Sequence, residues 1–153
     1  VDSIEGWMKI CVLGTYIKRR SNLILLGEES GQIPVRELEL SLQESMENLK
    51  LCRVPGNMIC RGAGYIDKEN AVRLYDAAEW LLEQVWKTIR AFIITVAIQD
   101  NTGYVAFNID GTPDVLGDAK TVFMEEFGLP CDIQIQERGI RIRVEVGTGG
   151  TEQ

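Results

Sequence analysis

Between residues 68 and 90 apolar side chains recur every three or four positions: Ala71, Leu74, Tyr75, Ala78, Leu81, Leu82, Val85 and Ile89. This spacing gathers them on one side of an α-helix, and Asp67 stands where a carboxylate can cap the first turn. After Arg90 the period falls to two. Phe92, Ile94, Val96 and Ile98 share one side, and Val105, Phe107 and Ile109 resume it beyond Asp100-Asn101-Thr102-Gly103, a turn of residues that tolerate positive φ. The pattern predicts a helix feeding a β-hairpin, with the rest of the chain organised around the helix's apolar face.

Upstream, residues 3–27 lack proline. Ile4, Met8, Cys11 and Leu25 fall near a heptad seam that also holds Thr15, Lys18 and Asn22, so a helix of several turns is expected. Gly27 to Gln32 break it, and Pro34 opens a second helix in which Val35, Leu38, Leu42, Ser45 and Leu49 alternate steps of three and four. The short link makes the two helices antiparallel neighbours. A second apolar flank, Leu23, Ile24, Leu26, Leu40 and Met46, then has two uses: pairing with another copy into a four-helix bundle, the expectation taken here, or covering a sheet. Residues 53–66, with Pro55, Gly56, Gly62 and Gly64, are expected to form a linker.

Downstream, Gly111-Thr112-Pro113-Asp114 breaks the strand pattern. A short helix over 120–127 turns Val122, Phe123 and Phe127 inward, Gly128 ends it in the left-handed conformation, and Pro130 lies just beyond. Ile133 and Ile135, the Glu137-Arg138-Gly139 turn, then Ile140, Ile142, Val144 and Val146 predict two closing strands. One apolar and one solvated face imply an antiparallel or mixed sheet covered by helices on one side. The expected fold class is α+β: a two-helix hairpin over 1–52, the linker, an α/β sandwich over 67–147 and a frayed tail over 148–153.

At 153 residues the chain can bury one sizeable core or two small ones, and its 45% hydrophobic content is ordinary for a globular protein. No apolar run reaches the roughly 20 residues a membrane span needs. The chain opens at Val1 with acidic residues close behind, which suits a piece of something longer rather than a signal peptide. A net charge of −7 argues against a general nucleic-acid binder, and Lys18-Arg19-Arg20 is the basic run that could meet a phosphoryl group or acidic partner, or simply solvate a helix face. Cys11, Cys52, Cys60 and Cys131 match no CxxC zinc spacing and are expected as reduced, mostly buried thiols of a cytoplasmic protein. Histidine is absent from the chain. Ser–His and Cys–His triads and histidine phosphorylation therefore fall away.

The order of elements, with the stretches YIKRRSNLILL, AAEWLLEQVWKTIRAFIITV, FNIDG and FMEEFGLPCDIQIQERGIRIRVEV, resembles the C-terminal region of sensor histidine kinases. That resemblance implies a dimerising, phospho-accepting hairpin followed by a Bergerat-type ATPase domain of the histidine kinase/Hsp90-like fold, acting with Mg-ATP and a response-regulator-like partner, on the cytoplasmic side of a membrane-anchored sensor. Within it Glu79 matches a glutamate of the nucleotide helix, while Glu83 stands where the family has a magnesium-holding asparagine. Asp110 and Gly111 begin an Asp-x-Gly-x-Gly signature whose next glycine is Thr112 here, and the link to the following helix is short for a phosphate-covering lid. The stretch Tyr16 to Leu23 offers no phospho-accepting histidine.

The expectation is a pseudokinase with no resident cofactor, dimerising through Leu38, Leu42 and Leu49 and contacting a protein partner with Lys18, Arg19 and Arg20. The alternatives are a nucleotide-binding ATPase domain that keeps Mg-ATP on Glu79, Glu83, Asp110 and Gly111, and a generic α/β interaction domain. Bland roles compete for these residues: an exposed helix face for Glu79 and Glu83, core packing for Trp80 and Trp86, and a strand-ending turn for Asp110-Gly111.

Overall fold

A computed structural model describes residues 2–51, 53–99, 102–111 and 118–147, with the side chains of the first helix given from Leu13 on. The elements are α1 (Asp2–Leu26), β1 (Gln32–Pro34), α2 (Val35–Leu51), β2 (Gly56–Arg61), β3 (Tyr65–Asp67), α3 (Lys68–Val85), β4 (Ala91–Gln99), β5 (Thr102–Asp110), α4 (Ala119–Phe127), β6 (Cys131–Ile135) and β7 (Gly139–Gly147). The side chains of Ile4, Met8 and Cys11, and the residues Cys52, Asp100-Asn101, Thr112-Pro113-Asp114 and 148–153, lie outside the described residues.

The central helix forms as its periodicity predicts. Asp67 Oδ2 accepts from the backbone N–H groups of Glu69 and Asn70 at 3.1 and 3.3 Å, satisfying donors that the first turn leaves orphaned. Asp67→Ala is expected to cost about 1 kcal/mol of stability in a urea titration. The helix stops earlier than its apolar pattern suggests. Thr88 bonds the Val85 carbonyl through both its N–H, at 2.9 Å, and its hydroxyl, at 3.3 Å, a local competitor for helical bonding that turns the chain. Ile89 is buried from this turn rather than from the helix.

The sheet runs β2-β4-β5-β7-β6. Strands β2 and β4 are parallel, and the remaining neighbours are antiparallel. A parallel pair needs a long crossover, and α3 supplies it. The register aligns Met58, Ile94, Phe107, Ile142 and Ile133 in one row across all the strands, and their alternate neighbours form the other face. Gln99 faces Thr102, so the β4–β5 hairpin closes over a two-residue connection. Gly128 sits at φ 66° and ends α4 as its position predicts.

The 53–66 stretch is a correction: it carries β2 and β3, not a linker. Its glycines serve close approach. A Cβ on Gly56 would meet Met46 Sδ at 3.1 Å, and one on Gly62, at φ 91°, would meet the Ile98 carbonyl oxygen at 2.0 Å. The hairpin is likewise no separate unit. Strand β1 pairs with β3, and α2 lays Leu38, Leu42, Met46 and Leu49 into one core with Leu23 of α1, α3 and the sheet. Of the second apolar flank, Leu23 and Met46 are buried in this core, while Leu26 and Leu40 stay exposed. Leu25, expected near the seam of α1, is exposed, because the helix turns Tyr16 and Leu23 inward instead. Among the described residues no helix is long and apolar enough to cross a membrane.

Candidate functional site

Glu79 is the ionisable side chain that the fold treats most unusually. It lies on the flank of α3 that faces α2, and Ser45 Oγ of α2 donates to its Oε2. One turn earlier the hydroxyl of Tyr75 is buried with no hydrogen-bond partner among the described residues. Helix α1 closes over this junction. The Tyr16 ring stacks on Tyr75 with centroids 5.6 Å apart, and its hydroxyl donates to Asp76 Oδ1 at 2.7 Å. Arg20 Nε donates to the same carboxylate at 3.0 Å, and Arg19 pairs with Glu44 of α2. Both arginines thus have carboxylate partners, and Glu79 is held by a hydroxyl. Burial, followed by the charges of Asp76 and Glu83, raises Glu79 from 4.5 to about 7 despite the Ser45 hydrogen bond, which acts the other way. Tyr16 is pushed to about 12 by burial and by the Asp76 carboxylate beside it.

The other residues singled out from the sequence do not join Glu79. Glu83 is exposed. Asp110 pairs with Arg90 at 3.2 Å and accepts the Arg90 backbone N–H on its carbonyl at 2.8 Å. Gly111, at φ 141°, donates its N–H to the Arg138 carbonyl at 2.8 Å. Asp110-Gly111 therefore clasps the end of β5 to the tail of α3 and the β6–β7 turn. Glu79 lies back from the end of α3 by roughly 9 Å along its axis. On the next flank of α3 round, Trp80 meets Phe123 and Phe127 of α4 at 6.2 and 6.3 Å, and Phe123 meets Phe107 of β5 at 6.1 Å. These rings fill the space between α3, α4 and the sheet.

The basic run divides. Lys18 is exposed, while Arg19 and Arg20 are spent on Glu44 and Asp76. Leu38, Leu42 and Leu49 are buried within one chain, so the seam expected to meet another copy is used at home. Cys131 is buried and Cys60 half-buried, both free, with burial raising both thiols. Tyr16, Ser45 and Asp76 were not recognisable as site residues from spacing, although a serine on the apolar seam of α2 is the one signal of a polar junction there.

This arrangement of sheet and helices recurs in solved histidine kinases. A blue-light activated histidine kinase of Erythrobacter litoralis superposes with a TM-score of 0.61 at 11% identity, over 89% of this chain and 54% of its own. The catalytic domain of the histidine kinase ThkA gives 0.56 at 11% identity, over 76% of this chain and 95% of that domain. The Acinetobacter baumannii histidine kinase AdeS gives 0.58 at 8% identity, over 88% and 76%. The chain has a histidine kinase ATPase-like fold. It spans about half the length of the Erythrobacter kinase. The ThkA catalytic domain overlies more of the chain than residues 67–147 make up, in line with α2 and β2 sharing the core of the sheet. No sequence family and no curated protein matches the chain.

Within the histidine kinase ATPase-like fold, Glu79 and Asp110, singled out for Mg-ATP, are engaged by other side chains of the same chain. Glu79 is held by the Ser45 hydroxyl on the α2 side of α3, and burial raises its carboxyl to about 7, so a cation there would have to displace Ser45 and bear part of the cost of ionising the group. Asp110 is engaged by Arg90, and among the described residues no three of Cys, Asp and Glu converge where a metal ion could sit.

Proposed function

We propose that the chain is a histidine-kinase-like signal-transduction module without phosphotransfer, a pseudokinase that works through protein contact in the cytoplasm. The observation that carries this reading is the orientation of Glu79: the side chain matching the glutamate of the family's nucleotide helix faces Ser45 and α2, and another flank of α3 is filled by Trp80, Phe123 and Phe127. The missing histidine agrees with it. Partner contact, whether with a response-regulator-like protein or with a second copy, falls to outward residues such as Lys18, Leu13, Ile17 and Leu25, because Leu38, Leu42, Leu49, Arg19 and Arg20 are engaged within the chain. Incubation with γ-labelled ATP and magnesium is expected to leave the protein unlabelled. Acid-labile or acid-stable phosphate appearing on the chain would overturn the assignment. Sedimentation velocity tests the second-copy contact, and a protein that stays monomeric at tens of micromolar removes it.

A further inference from the structure

The two edges of the sheet are finished differently. Strand β2 packs against α2, and Asn57 Oδ1 accepts the Met58 backbone N–H at 2.8 Å. At the other edge, β6 has no neighbour beyond β7 among the described residues. Gln136 donates its N–H to the Gly139 carbonyl at 2.8 Å, which sets the phase of the β6–β7 ladder. Asp132 and Gln134 therefore turn their backbone groups towards β7, while Ile133 and Ile135 turn theirs outward. Strand β6, five residues in unbroken register, carries none of the usual defences of an open edge: no lysine, no internal proline, no inward-pointing charge and no bulge. Its one charge, Asp132, stands opposite Arg143 of the same sheet. Ile135 shares the helix-covered face with Ile133 and Ile140, which pack on the core, yet is itself 85% exposed.

We propose that β6 is an edge-pairing surface for a second copy of this chain, joined antiparallel about a two-fold axis that passes beside Gln134. In this register Gln134 faces its own image, Ile133 faces Ile135 of the second copy, and Asp132 faces Gln136 of the second copy. The outward N–H and C=O groups of the isoleucines then meet in hydrogen-bonded pairs, and no like charges stand opposite one another. An amide both donates and accepts, so glutamine pairs with its own image, which neither a carboxylate nor an ammonium group does. The helix-covered faces of both copies fall on the same side of the joined sheet, and each Ile135 gains apolar cover from an Ile133. This self-complementarity selects a second copy over an unrelated extended segment. One short strand buries little surface, so the association is weak and reversible.

Sedimentation equilibrium of the whole chain, from about 20 µM to about 1 mM, tests the contact. Wild type is expected to pass reversibly from monomer to dimer over this range. Ile135→Pro, which removes an outward N–H and leaves the ladder to β7 intact, is expected to stay monomeric. Gln134→Glu and Gln134→Lys are each expected to weaken dimerisation roughly fivefold, because like charges then face each other across the axis, and an equimolar mixture of the two is expected to regain it. A wild type that stays monomeric at about 1 mM overturns the proposal. So does a dimer that all three variants form as readily as wild type, since such a dimer uses another surface, α1 included. A mixture no better than its components overturns the pairing about Gln134. If Ile135→Pro fails to fold, the two variants at the exposed Gln134 decide.

Discussion

Replacing Leu42 by glutamate is expected to leave the chain without a cooperative unfolding transition. Leu42 is 1% exposed and sits in the core that joins α2 to α3 and the sheet. Truncating such a leucine to alanine costs about 2 to 5 kcal/mol in lost transfer energy and cavity. A glutamate there has in addition to be desolvated or neutralised, which together approaches the roughly 5 to 15 kcal/mol that stabilises a typical domain. Glu44→Ala, two positions along α2 and off its buried face, removes only a partly exposed pair with Arg19 and is expected to cost less than about 1 kcal/mol. Circular dichroism melts on the three proteins read the contrast. If Leu42 instead served only a dimer seam, the loss in Leu42→Glu would shrink on dilution towards that of a folded monomer, so the melts are run over a range of concentrations.

Phe123→Ala is expected to destabilise by about 3 to 5 kcal/mol. The Phe123 ring is fully buried and lies near Trp80, Phe107 and Phe127 in edge-on geometries that add to its area burial. Phe127 is half-buried, so Phe127→Ala is expected to cost clearly less. Urea titrations of the two variants should therefore rank them in that order. Equal midpoints would mean that the aromatic layer between α3 and α4 is not packed as described.

Period alone made α3 and four of the five strands of the sheet legible. Alternation from Phe92 to Ile98 and from Ile140 to Val146 states which face is buried, and a strand has only two faces from which to choose. The same rule fails for α2, whose Leu38–Leu42–Leu49 spacing suits a partner helix from another chain and a sheet from its own equally well. Gly56, Gly62 and Gly64 were misleading in a related way: glycine marks loops and close backbone approach alike, and here it serves β2 and its surroundings. Asp67 and Gly128 were readable because capping depends on immediate neighbours alone. The Glu79 environment was not, since Ser45, Tyr16 and Arg20 come from helices distant in sequence, and a carboxylate at surface spacing gives no sign that another helix will cover it.

Whether this histidine kinase ATPase-like fold works without nucleotide, as proposed, is read by titrating the protein with Mg-ATP while its thermal unfolding midpoint is followed. A ligand bound only by the native state has to raise that midpoint, by about 2.7 kcal/mol of added stability at a hundredfold excess over its dissociation constant. A pseudokinase is expected to keep its midpoint unchanged up to millimolar Mg-ATP. A saturable, magnesium-dependent rise that Glu79→Gln or Asp110→Asn removes would contradict it.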